Sequence, residues 1–113
     1  MGGREMTTDE REIWRKLNEC KAVKKVKGWW EIGDHYYSHR DSCVLVLNDD
    51  DTDLGIEDLF VPPLFDPIRP ERSLWGMSEK IREEWSVMQA GIFMHSDRPD
   101  LVLAEMIIEQ EGR

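Results

Sequence analysis

A chain of 113 residues carrying 15 Lys and Arg against 24 Asp and Glu has a net charge of −9. That length suffices for one hydrophobic core, and that charge disfavours direct binding to nucleic acid or to anionic membranes. Hydrophobic residues make up 40% of it, with five Trp, three Phe and two Tyr, which argues against disorder; 35% charge calls for a heavily solvated surface.

The first six residues read as a flexible tail, and residues 7–113 as a single domain. Met1-Gly2-Gly3-Arg4-Glu5 has no apolar run behind a basic start, and no stretch reaches the ~20 apolar residues of a membrane span. The expectation is a cytoplasmic protein with reduced thiols at Cys20 and Cys43. Thr7-x-x-Glu10 has the form of a capping box, so a helix should begin there. Ile13, Trp14, Leu17 and Cys20 fall at helical spacing, and the helix is expected to continue through Val23, with Gly28 as its stop.

From Trp29 to His39 the period changes. Trp30, Ile32 and Tyr36 alternate with polar or small positions, which predicts a half-buried strand. Asp41-Ser42 reads as a turn, and Cys43-Val44-Leu45-Val46-Leu47 as a second, more deeply buried strand of an antiparallel hairpin. A polar loop follows at Asn48 to Asp53, then one helical turn over residues 54–60 with Leu54, Leu59 and Phe60 inward.

Four of the five prolines stand between residues 61 and 70. They forbid helix interior and central strand, while Val61, Leu64, Phe65 and Ile68 predict an extended segment packed across the domain. A helix is expected within residues 73–84, weakened at Gly76, then a third strand over residues 85–95. Ser96-Asp97-Arg98-Pro99-Asp100 supplies the start of a last helix. Leu101, Ala104 and Ile108, flanked by Leu103 and Ile107, form its broad apolar face, and Gly112 ends it. The predicted class is α+β: a small antiparallel sheet of about three strands, covered by N-terminal, central and C-terminal helices and crossed by the proline-rich segment.

Two clusters could carry chemistry. Cys20, His35, His39 and Cys43 offer four zinc-type ligands, enough for a closed structural site. The spacing Cys-x14-His-x3-His-x3-Cys lacks the close cysteine pair of common zinc modules. Two exposed histidines and two core thiols fit the same residues. The acidic stretch Asp49, Asp50, Asp51, Asp53, Glu57 and Asp58 resembles a calcium loop only at its first positions. Leu54 stands where such a loop needs glycine, and Phe60 where it needs glutamate. It reads instead as an exposed carboxylate surface suited to a protein partner with a basic face.

Catalytic motifs are missing. His95-Ser96-Asp97 are neighbours in the chain and cannot form a triad from one turn, and no phosphate-binding glycine loop or nucleophile elbow occurs. The expectation is therefore no enzyme and no cofactor. Lys21, Lys24, Lys25 and Lys27 precede Trp29-Trp30 in the manner of a single-strand binder, but on a chain of −9 the expectation is no direct nucleic-acid contact, with the lysines pairing with the acidic loop or ending the first helix. Pro67-Ile68-Arg69-Pro70 satisfies Pro-x-x-Pro, but its apolar neighbours favour internal packing.

The stretch Asp58-Leu59-Phe60-Val61-Pro62-Pro63-Leu64-Phe65-Asp66-Pro67-Ile68-Arg69-Pro70-Glu71-Arg72-Ser73-Leu74-Trp75-Gly76-Met77 resembles segments of small proteins encoded by bacteriophages and prophages. Ser96-Asp97-Arg98-Pro99-Asp100-Leu101-Val102-Leu103-Ala104-Glu105 is similar to their closing helix. The resemblance implies a phage-type accessory protein in the cytoplasm of a host bacterium, and it carries over no functional residue. The residues themselves leave three modes of action: the acidic stretch suits an inhibitor of a host nucleic-acid-binding protein, the Cys/His set a zinc-stabilised domain, and the five tryptophans with the broad apolar last helix a self-associating structural protein that forms a homodimer.

Overall fold

Thr7 opens the first helix as its spacing requires. Its Oγ1 accepts a hydrogen bond from the Glu10 amide at 3.1 Å, relieving one of the amides that a helix start leaves without an internal acceptor. Helix α1 (Thr8–Asn18) carries Asp9 and Glu10 in its first turn and Arg15 and Lys16 in its last, the arrangement favoured by the helix dipole. Glu10, Trp14, Leu17 and Asn18 are its buried residues. The computed structural model describes residues 6–23, 30–48 and 58–112. The expected continuous helix breaks at Glu19 and Cys20, and residues 21–23 resume helical conformation.

The chain divides into two compact units, Met1–Pro62 and Pro63–Arg113. In the first, strands β1 (His35–Ser38), β2 (Cys43–Val46) and β3 (Leu59–Phe60) form an antiparallel sheet in the order β2-β1-β3. The hairpin register sets Ser38 opposite Cys43 and His35 opposite Val46. Its turn is where the residue types placed it. The Asp41 amide donates to Ser38 Oγ at 3.2 Å, and Ser42 takes the left-handed conformation with φ 55°.

Two expectations fail here. Trp29 lies outside the described residues; from Trp30 on, the predicted strand is confined to His35–Ser38, because a turn closed by Asp34 occupies residues 31–34. Gly33 holds φ 97°, the Glu31 amide donates to Asp34 Oδ2 at 2.8 Å, and Ile32 is exposed. The predicted helical turn at 54–60 is, over its described end, the edge strand β3, paired Tyr36 to Phe60 and Tyr37 to Leu59. β1 is therefore the central strand. Tyr36 and Tyr37, successive residues on opposite faces, are both buried, and β1 rather than β2 is the more deeply buried partner.

A side-chain amide completes this edge. Asn18 Nδ2 donates to the Phe60 carbonyl at 2.8 Å and to the Trp14 carbonyl at 2.7 Å, while the Phe60 amide donates to Asn18 Oδ1 at 2.8 Å. The last turn of α1 thus supplies a strand-like partner to a two-residue strand. Trp30 stacks edge-on against Tyr36 and Phe60, and Arg11 reaches the Tyr37 hydroxyl at 3.1 Å.

In the second unit the proline-rich segment is extended and held by backbone bonds. The Leu74 amide donates to the Pro63 carbonyl at 2.9 Å and the Trp75 amide to the Leu64 carbonyl at 3.0 Å. Internal packing covers less of it than its apolar residues promised, for Phe65 and Ile68 are exposed. A 3-10 turn (Pro70–Arg72) leads into α2 (Leu74–Met77), capped by Ser73, whose Oγ accepts from the Gly76 amide at 3.1 Å. Gly76 is a requirement and not a weakness: a Cβ there would lie 2.0 Å from the Pro70 carbonyl oxygen. Helices α3 (Glu79–Glu83), α4 (Val87–Met94) and α5 (Pro99–Glu111) follow. α5 packs against α2, α3 and α4 and buries Leu103, Ala104 and Ile107.

The class is α+β with a small three-stranded antiparallel sheet, as expected, but its third strand stands at residues 59–60. Residues 87–94, expected as a strand, are helix. Ser86 and Gln89 form a reciprocal capping box, with bonds of 3.2 Å from the Gln89 amide to Ser86 Oγ and 2.9 Å from the Ser86 amide to Gln89 Oε1.

Candidate docking face

The proposed zinc ligands do not converge. Cys20 is buried just past α1, its thiol donating to the Lys16 carbonyl at 3.7 Å. Cys43 is half-buried at the turn end of the hairpin, near His39 in the chain fold, whereas His35 stands at the far end of β1. Ser38 lies three positions along the strand from His35, about 10 Å. Both histidines are exposed. Among the described residues no group of three or more His, Cys, Asp or Glu side chains is placed to hold a metal ion.

Of the acidic surface, Asp49, Asp50, Asp51, Asp53 and Glu57 lie outside the described residues. Asp58 is described and is not part of an exposed face. It is buried, and its Oδ1 accepts from the His39 amide at 3.0 Å, closing the hairpin turn. His95, Ser96 and Asp97 form a helix-to-helix link, with Ser96 Oγ accepting from the Arg98 amide at 3.1 Å.

A different feature stands out on α4. Its eight residues, Val87-Met88-Gln89-Ala90-Gly91-Ile92-Phe93-Met94, include no charge and no buried residue. Val87 is 93% exposed, Met94 75%, Met88 74% and Ile92 52%. At 3.6 residues per turn these four side chains and Gly91 share one continuous arc of about 160°, with Gly91 near its centre. His95, the exposed C-cap, falls within the same arc, between Gly91 and Met88. The opposite side of the helix is the structural one. Phe93 meets Trp85 at 5.3 Å and Trp75 at 5.9 Å between ring centroids, and Gln89 serves the cap.

The surroundings of α4 are built firmly. Arg82 lies over the Trp75 ring at 3.8 Å, its Nη2 donating to the Trp75 carbonyl at 2.9 Å and its Nε to Ser78 Oγ at 3.1 Å. A shallow polar cavity of about 150 Å³ lies on the inner flank, lined by Ile81, Glu84, Trp85, Gln89, Met106 and Glu109 among others. Trp85, one of its lining residues, keeps its indole Nε1 buried without a hydrogen-bond partner among the described residues. A strand over residues 85–95 would split these apolar residues between two faces, so the arc is visible only when they are read as a helix. Ser86-x-x-Gln89, the signal that would have exposed it, was present.

No protein-family model matches the chain, and comparison with curated proteins and with solved structures also yields no match. Among the described residues no helix is long and apolar enough to cross a membrane.

Proposed function

We propose that this chain is a small, non-catalytic accessory protein that works by protein–protein contact, with the outer face of α4 as its contact surface. One observation carries the reading. In a chain that is 35% charged, an entire capped helix is uncharged and turns Val87, Met88, Ile92 and Met94 to water. Contiguous apolar patches of several hundred Å² on folded proteins mark interaction surfaces, because each exposed aliphatic side chain forgoes burial worth about 1.5–3 kcal/mol. The likeness of residues 58–77 and 96–105 to phage-encoded segments supports an accessory role in a bacterial host. For an inhibitor that offers Asp49 to Glu57 to a basic partner, the remaining support is the net charge of −9.

Methionine oxidation tests the contact reading. Met88 and Met94 should oxidise rapidly in dilute purified protein and slowly in concentrated extract of cells that express it. Equal rates in the two settings would rule the reading out.

A further inference from the structure

We infer that the occupant of the α4 face is a second copy of this chain, crossing it about a two-fold axis near Gly91. The inference rests on the contact reading above and names the partner. Three observations lead to it.

The first is Gly91. A glycine inside a helix costs stability relative to alanine, and a cost of that kind is ordinarily offset by a close approach. At Gly76 the approach is internal, against Pro70. At Gly91 a Cβ would meet nothing within 4 Å. No internal contact requires this glycine, and it sits at the middle of the exposed arc. A helix crossing there gains backbone approach that any larger residue would block.

Charge is the second. Two copies of a −9 chain repel at long range, so an interface between them must form where neither contributes carboxylates. The α4 arc meets that condition: residues 87–94 include no carboxylate, and the titratable side chain within the arc is the C-cap His95. A strongly basic partner would find no counter-charge on the same arc, which favours a copy over such a protein.

Area is the third. The exposed parts of Val87, Met88, Ile92 and Met94 amount to about 500 Å² per copy, so a two-fold contact through them would remove at most about 1,000 Å² from water, which is the size of a weak, reversible interface. An isologous contact doubles every side chain, so each substitution acts twice.

Sedimentation velocity of the full chain, from about 1 µM to about 1 mM, the range open to an interface of this size, measures the association. A monomer–dimer equilibrium is expected. Met88→Glu and Ile92→Glu, which place two carboxylates in the contact, should each weaken it by at least about tenfold. Gly91→Ala should also weaken it, and it fills open space, so the monomer folds as before; circular dichroism of all three variants checks this. A monomer throughout the range, or a dimer indifferent to all three substitutions, overturns the proposal. Failure is distinguishable from failure of the contact reading: Met88 and Met94 protected in extract, while the pure protein stays monomeric, assigns the face to another protein.

Discussion

Helices α1 and α4 begin alike and end up with opposite roles. Each follows a hydroxyl residue that caps the amide three positions on, Thr7 for Glu10 and Ser86 for Gln89. α1 then buries Trp14 and Leu17 completely and spends the Asn18 amide on the backbone of Phe60. α4 buries nothing outright and presents an uncharged apolar arc. Capping decides where a helix starts, whereas the pattern beyond the cap decides whether its apolar side is used inside the molecule. In α1 that side is internal. In α4 a tilted Trp85–Phe93–Trp75 stack secures one flank, and the other is left for something else.

Truncation should expose the contrast most sharply. Trp14→Ala removes a fully buried aromatic and is expected to cost about 3–5 kcal/mol, read from the denaturant midpoint. Asn18→Leu keeps the size but leaves the Phe60 amide and carbonyl without their side-chain partner, at an expected cost of about 2–4 kcal/mol. A cost under about 0.5 kcal/mol at Asn18, the level of an ordinary surface change, would mean that β3 is not held by α1.

The same clamp explains what the sequence could and could not disclose. Thr7-x-x-Glu10, Asp41-Ser42 and Pro99 are local signals, and the elements they start or turn were legible. Leu59-Phe60 is too short to show a period. Its strand state comes from Tyr36, Tyr37 and Asn18, the last of them 42 positions away in the chain. With β3 hidden, β1 could not be recognised as the central strand, and β2, the more continuously apolar run, looked the deeper. At residues 87–94 the error was one of choice, since β-compatible apolar residues outweighed a capping box that was in plain view. The zinc set failed for want of register: spacing along the chain does not say which end of a hairpin each ligand occupies.

On α4 the expected effects are smaller and of opposite sign. Gly91→Ala should raise monomer stability by up to about 1 kcal/mol, because the added methyl favours helix and touches nothing. Thermal unfolding at the dilute end, where association does not contribute, measures it. Val87→Ser should stay within about 0.5 kcal/mol in the same assay. Destabilisation at Val87 on the scale expected at Trp14 would show that the arc has a use inside the folded chain and would remove the basis for docking.

The finest distinction lies in two carboxylates whose pKa values are lowered by different means. Glu12, exposed on α1, is held down chiefly by its hydrogen bond with Arg15, with the charges of Arg15 and Lys16 adding to it. Asp66, in the proline-rich segment, is held down first by the amide of Arg69, then by the amide of Ile68, each donating to Oδ1 at 3.0 Å, with the Arg69 charge a lesser contribution. A folded pKa below the unfolded one means that each contribution is complete above the ordinary carboxylate range, near pH 4, and disappears as pH falls through the lowered value. Salt separates them. Raising it should move the Glu12 titration back toward its ordinary position, because an exposed ion pair is screened. The Asp66 titration should hardly move, since dipoles of fixed amides are not exchanged for counterions. Carboxyl chemical shifts followed against pH at two salt concentrations read both. An Asp66 titration as salt-sensitive as that of Glu12 would make its turn a matter of the Arg69 charge, and the order of residues 66–69 would then depend on a side chain and not on the backbone.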